Sequence, residues 1–187
     1  MTSKAPGPRE RLIATGIAMV RERGIHATGL SDLLKRSSAA RNSIYQHFPG
    51  GKTELMVAVT ETAAGVIGAR IDRLAADGDP LAVIHGLIDR WVADMQEADF
   101  ATGCPIAAAS LAGPDEPPIT EAAARAFTLI SDRVAAALTA SGMDDETARS
   151  RASFAVSAIE GALLQARAQR SIQPLRDVES ELVRYFR

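Results

Sequence analysis

The chain has 187 residues, 47% of them hydrophobic and 4% aromatic, with a formal net charge of −2. That length buries most of its apolar surface without disulfide or metal staples, and an alanine-rich, aromatic-poor composition favours helices over strands. No run of about 18 apolar residues is present to span a membrane. The first residues, MTSKAPGPRERL, lack the apolar core of a signal peptide. The one cysteine, Cys104, has no partner for an internal disulfide, so a reducing cytoplasm is the expected location.

Charge is unevenly spread. Residues 1–52 hold nine Lys or Arg against Glu10, Glu22 and Asp32, a net of +6, which leaves −8 for residues 53–187. A basic module on an acidic body points to nucleic acid at one end, and the acidic remainder orients the encounter. Met1 to Pro8 is a polar tail, read either as bringing Lys4 and Arg9 to phosphates or as a solvated tail with no role.

The first helix begins near Pro8 and ends at Gly24, with Leu12, Ile13, Ile17 and Val20 at helical spacing. Gly16 inside it costs about 1 kcal/mol against Ala and is expected to permit a close helix contact. His26 is read as a surface loop residue. Thr28 precedes the next helix, where its hydroxyl and the following amides suit a phosphate or a plain cap.

Ser31 to Phe48, SDLLKRSSAARNSIYQHF, reads as two short helices with a break between them. Ser31 is the expected N-cap of the first, and Ser37-Ser38 stops it because their hydroxyls compete for backbone hydrogen bonds. The second places Ile44 and Phe48 on one inward stripe. Arg41, Asn42, Ser43, Tyr45, Gln46 and His47 make up its other face, with no acid among them. Arg41 and Gln46 suit guanine and adenine edges. Asn42 and Ser43 lie at the helix start, where bases are met, and Tyr45 and His47 suit phosphates. The pattern is a helix-turn-helix.

Beyond Gly50-Gly51, a long helix is expected from Lys52 to about Asp77, with Leu55, Val59, Val66 and Leu74 on its buried side. Asp79 caps and Pro80 opens the next, which runs to about Asp99. Shorter or longer helices follow over Pro105–Leu111, Ile119–Ser141, Asp144 or Asp145 to about Ser171, and from Pro174 to the end. Periodicity shows no strand, repeat or low-complexity segment.

The flanks sharpen the motif. RLIATGIAMVRERGIHATGLSDLL precedes it, and PGGKTELMVAV follows Ile44-Tyr45-Gln46-His47-Phe48. Over roughly the first 55 residues this resembles the TetR family of bacterial transcriptional repressors. PGGK after Phe48, with Gly103-Cys104-Pro105-Ile106, resembles the subgroup related to the YxaF and LmrA regulators. Two departures stand out: Ser37, Ser38 and Ala39 replace the family's usual Ala-Gly-Val turn, and Asn42 stands where Gly is common. The resemblance implies an all-α chain. Residues 1–52 would form a three-helix DNA-binding domain, and residues 53–187 a helical ligand-binding and dimerisation domain. It also implies a phosphate contact from Lys52, a homodimer on double-stranded operator DNA, and a small hydrophobic or amphipathic effector.

Enzyme chemistry finds no support: the three histidines, His26, His47 and His85, lack carboxylates at metal spacing, and no phosphate loop or nucleophile constellation exists. No cofactor and no membrane partner are expected. His85, Trp91, Met95, Phe100, Cys104 and Phe127 are the candidate effector pocket, each with ordinary core as its bland reading. On the small-residue helix Ala148 to Ala168, Phe154, Ala155, Ala158, Gly161 and Ala162 are with the last helix the candidate dimer face, Ile159 and Leu163 adding apolar area; Phe154 as intramolecular core is the alternative. A dimer sets two recognition helices in successive major grooves about 34 Å apart. The competing reading is a helical ligand-binding or scaffold protein whose helix-turn-helix has lost specific DNA binding, motivated by Ser38 and Asn42.

Overall fold

A computed structural model describes residues 6–40 and 42–186. Among them every regular element is a helix. They are α1 (Pro8–Ala27), α2 (Leu30–Ser37), α3 (Ser43–His47), α4 (Gly51–Ala75), α5 (Pro80–Glu97), α6 (Pro105–Ser110), α7 (Pro117–Ala140), α8 (Asp145–Gln169) and α9 (Gln173–Phe186). The chain packs as two compact units, Met1–Ala63 with Pro105–Ala124, and Ala64–Cys104 with Arg125–Arg187. The first is larger than the basic segment 1–52, because α6 returns to pack on α1 and buries Ile106 and Ala109.

Local chemistry explains the helix ends. The Asp79 Oδ1 accepts the Leu81 N–H at 2.9 Å, with Pro80 in the first turn of α5. Asp144 Oδ1 accepts the Thr147 N–H at 2.9 Å and starts α8. Each supplies a partner for an N–H that a helix start leaves unbonded. The Thr147 bond holds the Asp144 carboxyl below the usual carboxylate range.

The unit around the helix-turn-helix has a continuous core. Leu12, Met19, Leu33, Leu55, Met56 and Val59 are fully buried. Gly16 makes the expected close approach: a Cβ there would lie 2.5 Å from Val59 Cγ2. Gly24, at φ 79°, breaks α1 and leaves one further turn behind it, a backbone that glycine enters without a Cβ penalty. α2 starts earlier than expected: Gly29, not Ser31, is its N-cap, and Leu33 N–H bonds the Gly29 carbonyl at 3.0 Å. Gly29 leaves the Gly24 break in an extended conformation, so the helix closes on its carbonyl and Ser31 stands exposed in the first turn. Across α1 and α2, Glu22 accepts two bonds from the Arg36 guanidinium at 2.6 Å each, which holds Glu22 below its ordinary range.

In the second unit α9 packs on α8 and α5. Ile84, Ile88, Met95, Ala148, Ala152, Ala155, Leu163 and Leu175 form its interior. Val66, expected on the buried side of α4, is 63% exposed. The buried residues in that stretch are instead Ala63, Ala64, Gly68 and Ile71, and at Gly68 the Arg133 and Leu129 side chains approach where a Cβ would stand.

Candidate DNA-binding site

The turn between α2 and α3 is closed by backbone geometry. Ser38 takes a left-handed conformation (φ 52°, ψ 35°), its N–H bonds the Lys35 carbonyl at 3.3 Å, and Ala39 N–H bonds the Leu34 carbonyl at 3.2 Å. This is the reversal a glycine ordinarily makes at a helix C-terminus; here a serine makes it at a steric cost. Ser37 is buried, and its hydroxyl donates to the Leu34 carbonyl at 3.2 Å. α3 follows, anchored by Ile44 and Phe48 at 1% exposure each. The Arg9 guanidinium lies over the Phe48 ring, 5.3 Å from its centroid, within cation–π range.

The face turned to solvent carries Asn42, Tyr45 and Gln46, all exposed, with His47 half-buried at its edge. Asn42 makes no capping bond with its side chain, so its amide is not committed to the helix start. Lys52 at the start of α4 donates to the His26 carbonyl at 3.3 Å, which steadies its stem while the ammonium keeps donors to spare. Arg41, the expected guanine reader, lies outside the described residues, as does Lys4.

Two expected contacts are corrected. Thr28 is fully buried, and its hydroxyl donates to the Gly24 carbonyl at 2.7 Å. The Gly24 break strips that carbonyl of its helical partner, and Thr28 replaces it, so the hydroxyl is not available to a phosphate. Ser43 is 8% exposed and buried beside Ile44, so little of it is open to a base edge.

The residues expected to line an effector pocket are placed differently from one another. Met95 and Cys104 are buried, Trp91, Phe100 and Phe127 are half-buried, and His85 is exposed. The exposed His85 places its Nδ1 2.6 Å from Oε1 of Glu179 on α9, a carboxylate whose side chain is only 13% exposed. An open groove of about 650 Å³ lies on Asp132, Ala135, Ala136, Thr139, Ala140, Asp145 and Arg149, none of them among the expected residues.

The candidate dimer face also divides. Phe154 is 54% exposed and meets Tyr185 in a tilted ring contact, with centroids 5.4 Å apart. Ala158 and Gly161 are half-buried. Ala155 and Ala162, at 1% exposure each, together with Ile159 and Leu163, are corrected: they form the interior of their own chain and have no surface to give a partner. Leu164, 61% exposed, is the apolar α8 residue the sequence reading missed.

Glu160 was also missed. Burial pushes its carboxyl above the ordinary range, against the lowering effect of a hydrogen bond with the Cys104 thiol. Its Oε2 is buried without a partner, as is Thr102 Oγ1, and each such atom costs about 1–3 kcal/mol. The signal was present in AVSAIEGALL: one acid inside an apolar helical run, with no basic residue three or four positions away.

Two short helices joined by a tight turn, the second showing an acid-free polar face, are the helix-turn-helix of a DNA-binding regulator. Residues 12–59 match the family model described as bacterial regulatory proteins, tetR family. Residues 80–181 match transcriptional regulator LmrA/YxaF-like, C-terminal domain. An uncharacterized HTH-type transcriptional regulator of Mycobacterium tuberculosis is 38% identical over 182 residues, 94% of this chain and 92% of that protein. The HTH-type transcriptional regulator LmrA of Bacillus subtilis is 25% identical over 175 residues, 92% of this chain and 93% of that one. A TetR transcriptional regulator from Legionella pneumophila shares the fold at a TM-score of 0.87 and 23% identity, covering 99% of this chain and 100% of its own. The chain belongs to the TetR family of transcriptional regulators, in its LmrA/YxaF-like subgroup.

Proposed function

We propose that the protein is a cytoplasmic repressor that binds a palindromic operator as a homodimer and is released by a small hydrophobic or amphipathic ligand held in its second unit. The observation that carries the reading is the exposed, acid-free surface of Asn42, Tyr45 and Gln46 on α3, set within a segment of net charge +6. Gln46 reads a base edge and Asn42 assists at the helix start. Tyr45, His47 and Lys52 hold phosphates and fix the register.

Release follows from linkage. A ligand lowers DNA affinity only by its differential affinity for the free and DNA-bound states. α4 and α7 each contribute residues to both compact units, so a ligand-dependent change in the second unit has two helices through which to act.

Selection from random duplexes with the purified chain tests the reading. Enrichment of an inverted repeat with half-sites about 10 bp apart is the expected result. Enrichment of nothing above non-specific binding overturns it in favour of a ligand-binding or scaffold protein.

A further inference from the structure

The loop 98–104 is fastened along the C-terminal half of α8. Arg170 donates to Asp99 Oδ1 at 2.6 Å and to the Asp99 carbonyl at 3.2 Å. The Arg167 guanidinium lies so near Gly103 that a Cβ there would meet its Nη1 at 3.4 Å. Cys104, at the loop's end, hydrogen-bonds Glu160. Between these fastenings Asp99 and Phe100 both take left-handed backbone, at φ 48° and 59°. Such strain in a bulky residue persists only where surroundings impose it, and it collects at ligand clamps. Glu160 Oε2 on α8 and Thr102 Oγ1 in the loop, two residues before Cys104, are each buried and unbonded.

We propose that this seam is the polar end of the effector site and that its ligand is a hydrophobic amine, the ammonium group bonding Glu160 Oε2 and Thr102 Oγ1 as the loop 98–104 yields to admit the hydrocarbon. The inference rests on the reading that the second unit binds an effector. Both orphaned oxygens accept hydrogen bonds, and an ammonium has three donors to give them. Glu160 has no cationic partner among the causes that shift it, only burial and the thiol, so the ligand supplies the missing counter-charge. An alcohol has one donor and no charge; a carboxylate is repelled. A metal ion lacks ligands, since no group of three or more His, Cys, Asp or Glu suited to one occurs among the described residues.

n-Octylamine, n-octanol and octanoate share a hydrocarbon length and differ in the head group. Calorimetric titration of each into the full chain and into E160Q separates charge from apolar burial. The wild-type chain is expected to bind octylamine about tenfold or more tighter than octanol, as a charge-assisted bond implies, and octanoate more weakly than either. In E160Q the amine preference collapses while octanol affinity is kept. T102V, which keeps the volume, lowers octylamine affinity several-fold and leaves octanol unchanged. Equal affinity for amine and alcohol, or a preference that survives in E160Q, overturns the proposal. If octanol releases operator DNA with no amine preference, the site falls and the effector reading stands. If no probe binds either chain, both fall.

Discussion

Ser38 stands where the chain reverses between α2 and α3, at φ 52°. A side chain in that conformation costs more than glycine's added freedom in the unfolded chain. Ser38→Gly is therefore expected to raise stability by about 0.5–1 kcal/mol, read in thermal unfolding, with operator affinity kept. The readers and positioners of DNA differ in kind. Gln46→Ala is expected to cost about 1–3 kcal/mol on the preferred site and to relax its sequence. Lys52→Ala weakens all duplexes alike and lowers the salt slope by about one; identical behaviour of the two variants would contradict that division. Glu160 gives a pH signature. Its folded carboxyl titrates above its unfolded value, so the folded state binds the proton more tightly, and stability falls as pH rises between the two values. Glu160→Gln removes that loss. The variant is expected to match wild type in acid and to exceed it near neutral pH, in chemical denaturation run across pH. At this scale the sequence displayed residue types but not orientations. Gln46 and Tyr45 face solvent as their spacing implied, whereas Thr28 was drawn inward by a broken α1 and Ser43 is buried beside Ile44.

Helices were the most legible part. Asp79-Pro80, Gly142 and Asp144 carry the local chemistry of helix ends, and the observed boundaries follow them within a few residues. Periodicity located Ile44 and Phe48 in the core for the same reason. It failed for Val66, where alanines and a glycine take the buried stripe, and for Ile159 and Leu163, because alternation of small and large residues does not tell an inner face from an outer one. The α1–α4 contact is the strictest feature of the first unit. Gly16→Ala brings a methyl against Val59, a side chain with one stiff torsion. The expected loss is about 1–3 kcal/mol from overpacking, measured by denaturant unfolding, and Val59→Ala in the same chain should recover part of it. Had Gly16 served only as a flexible link, alanine would have stabilised α1.

At the scale of the molecule, the split between a basic first segment and an acidic remainder was readable before any fold, and it supports the proposal that DNA meets the first segment. Phe154 was named from the sequence as a dimer-face residue, but the exposure of Leu164 and Tyr185 was not foreseen, because surface exposure is a property of packing. Phe154, Leu164 and Tyr185 present an apolar surface on the second unit, and a second copy of the chain is the proposed partner. Dimeric, sequence-specific binding is tested most directly by salt titration on two duplexes, one with the full inverted repeat and one with a half-site scrambled. Each neutralised phosphate contributes a slope of about −0.9 in log K against log salt. A dimeric reader predicts a steep slope on the full site and both a shallower slope and a large loss of affinity on the half-site. Equal affinity and equal slope on the two duplexes would contradict it.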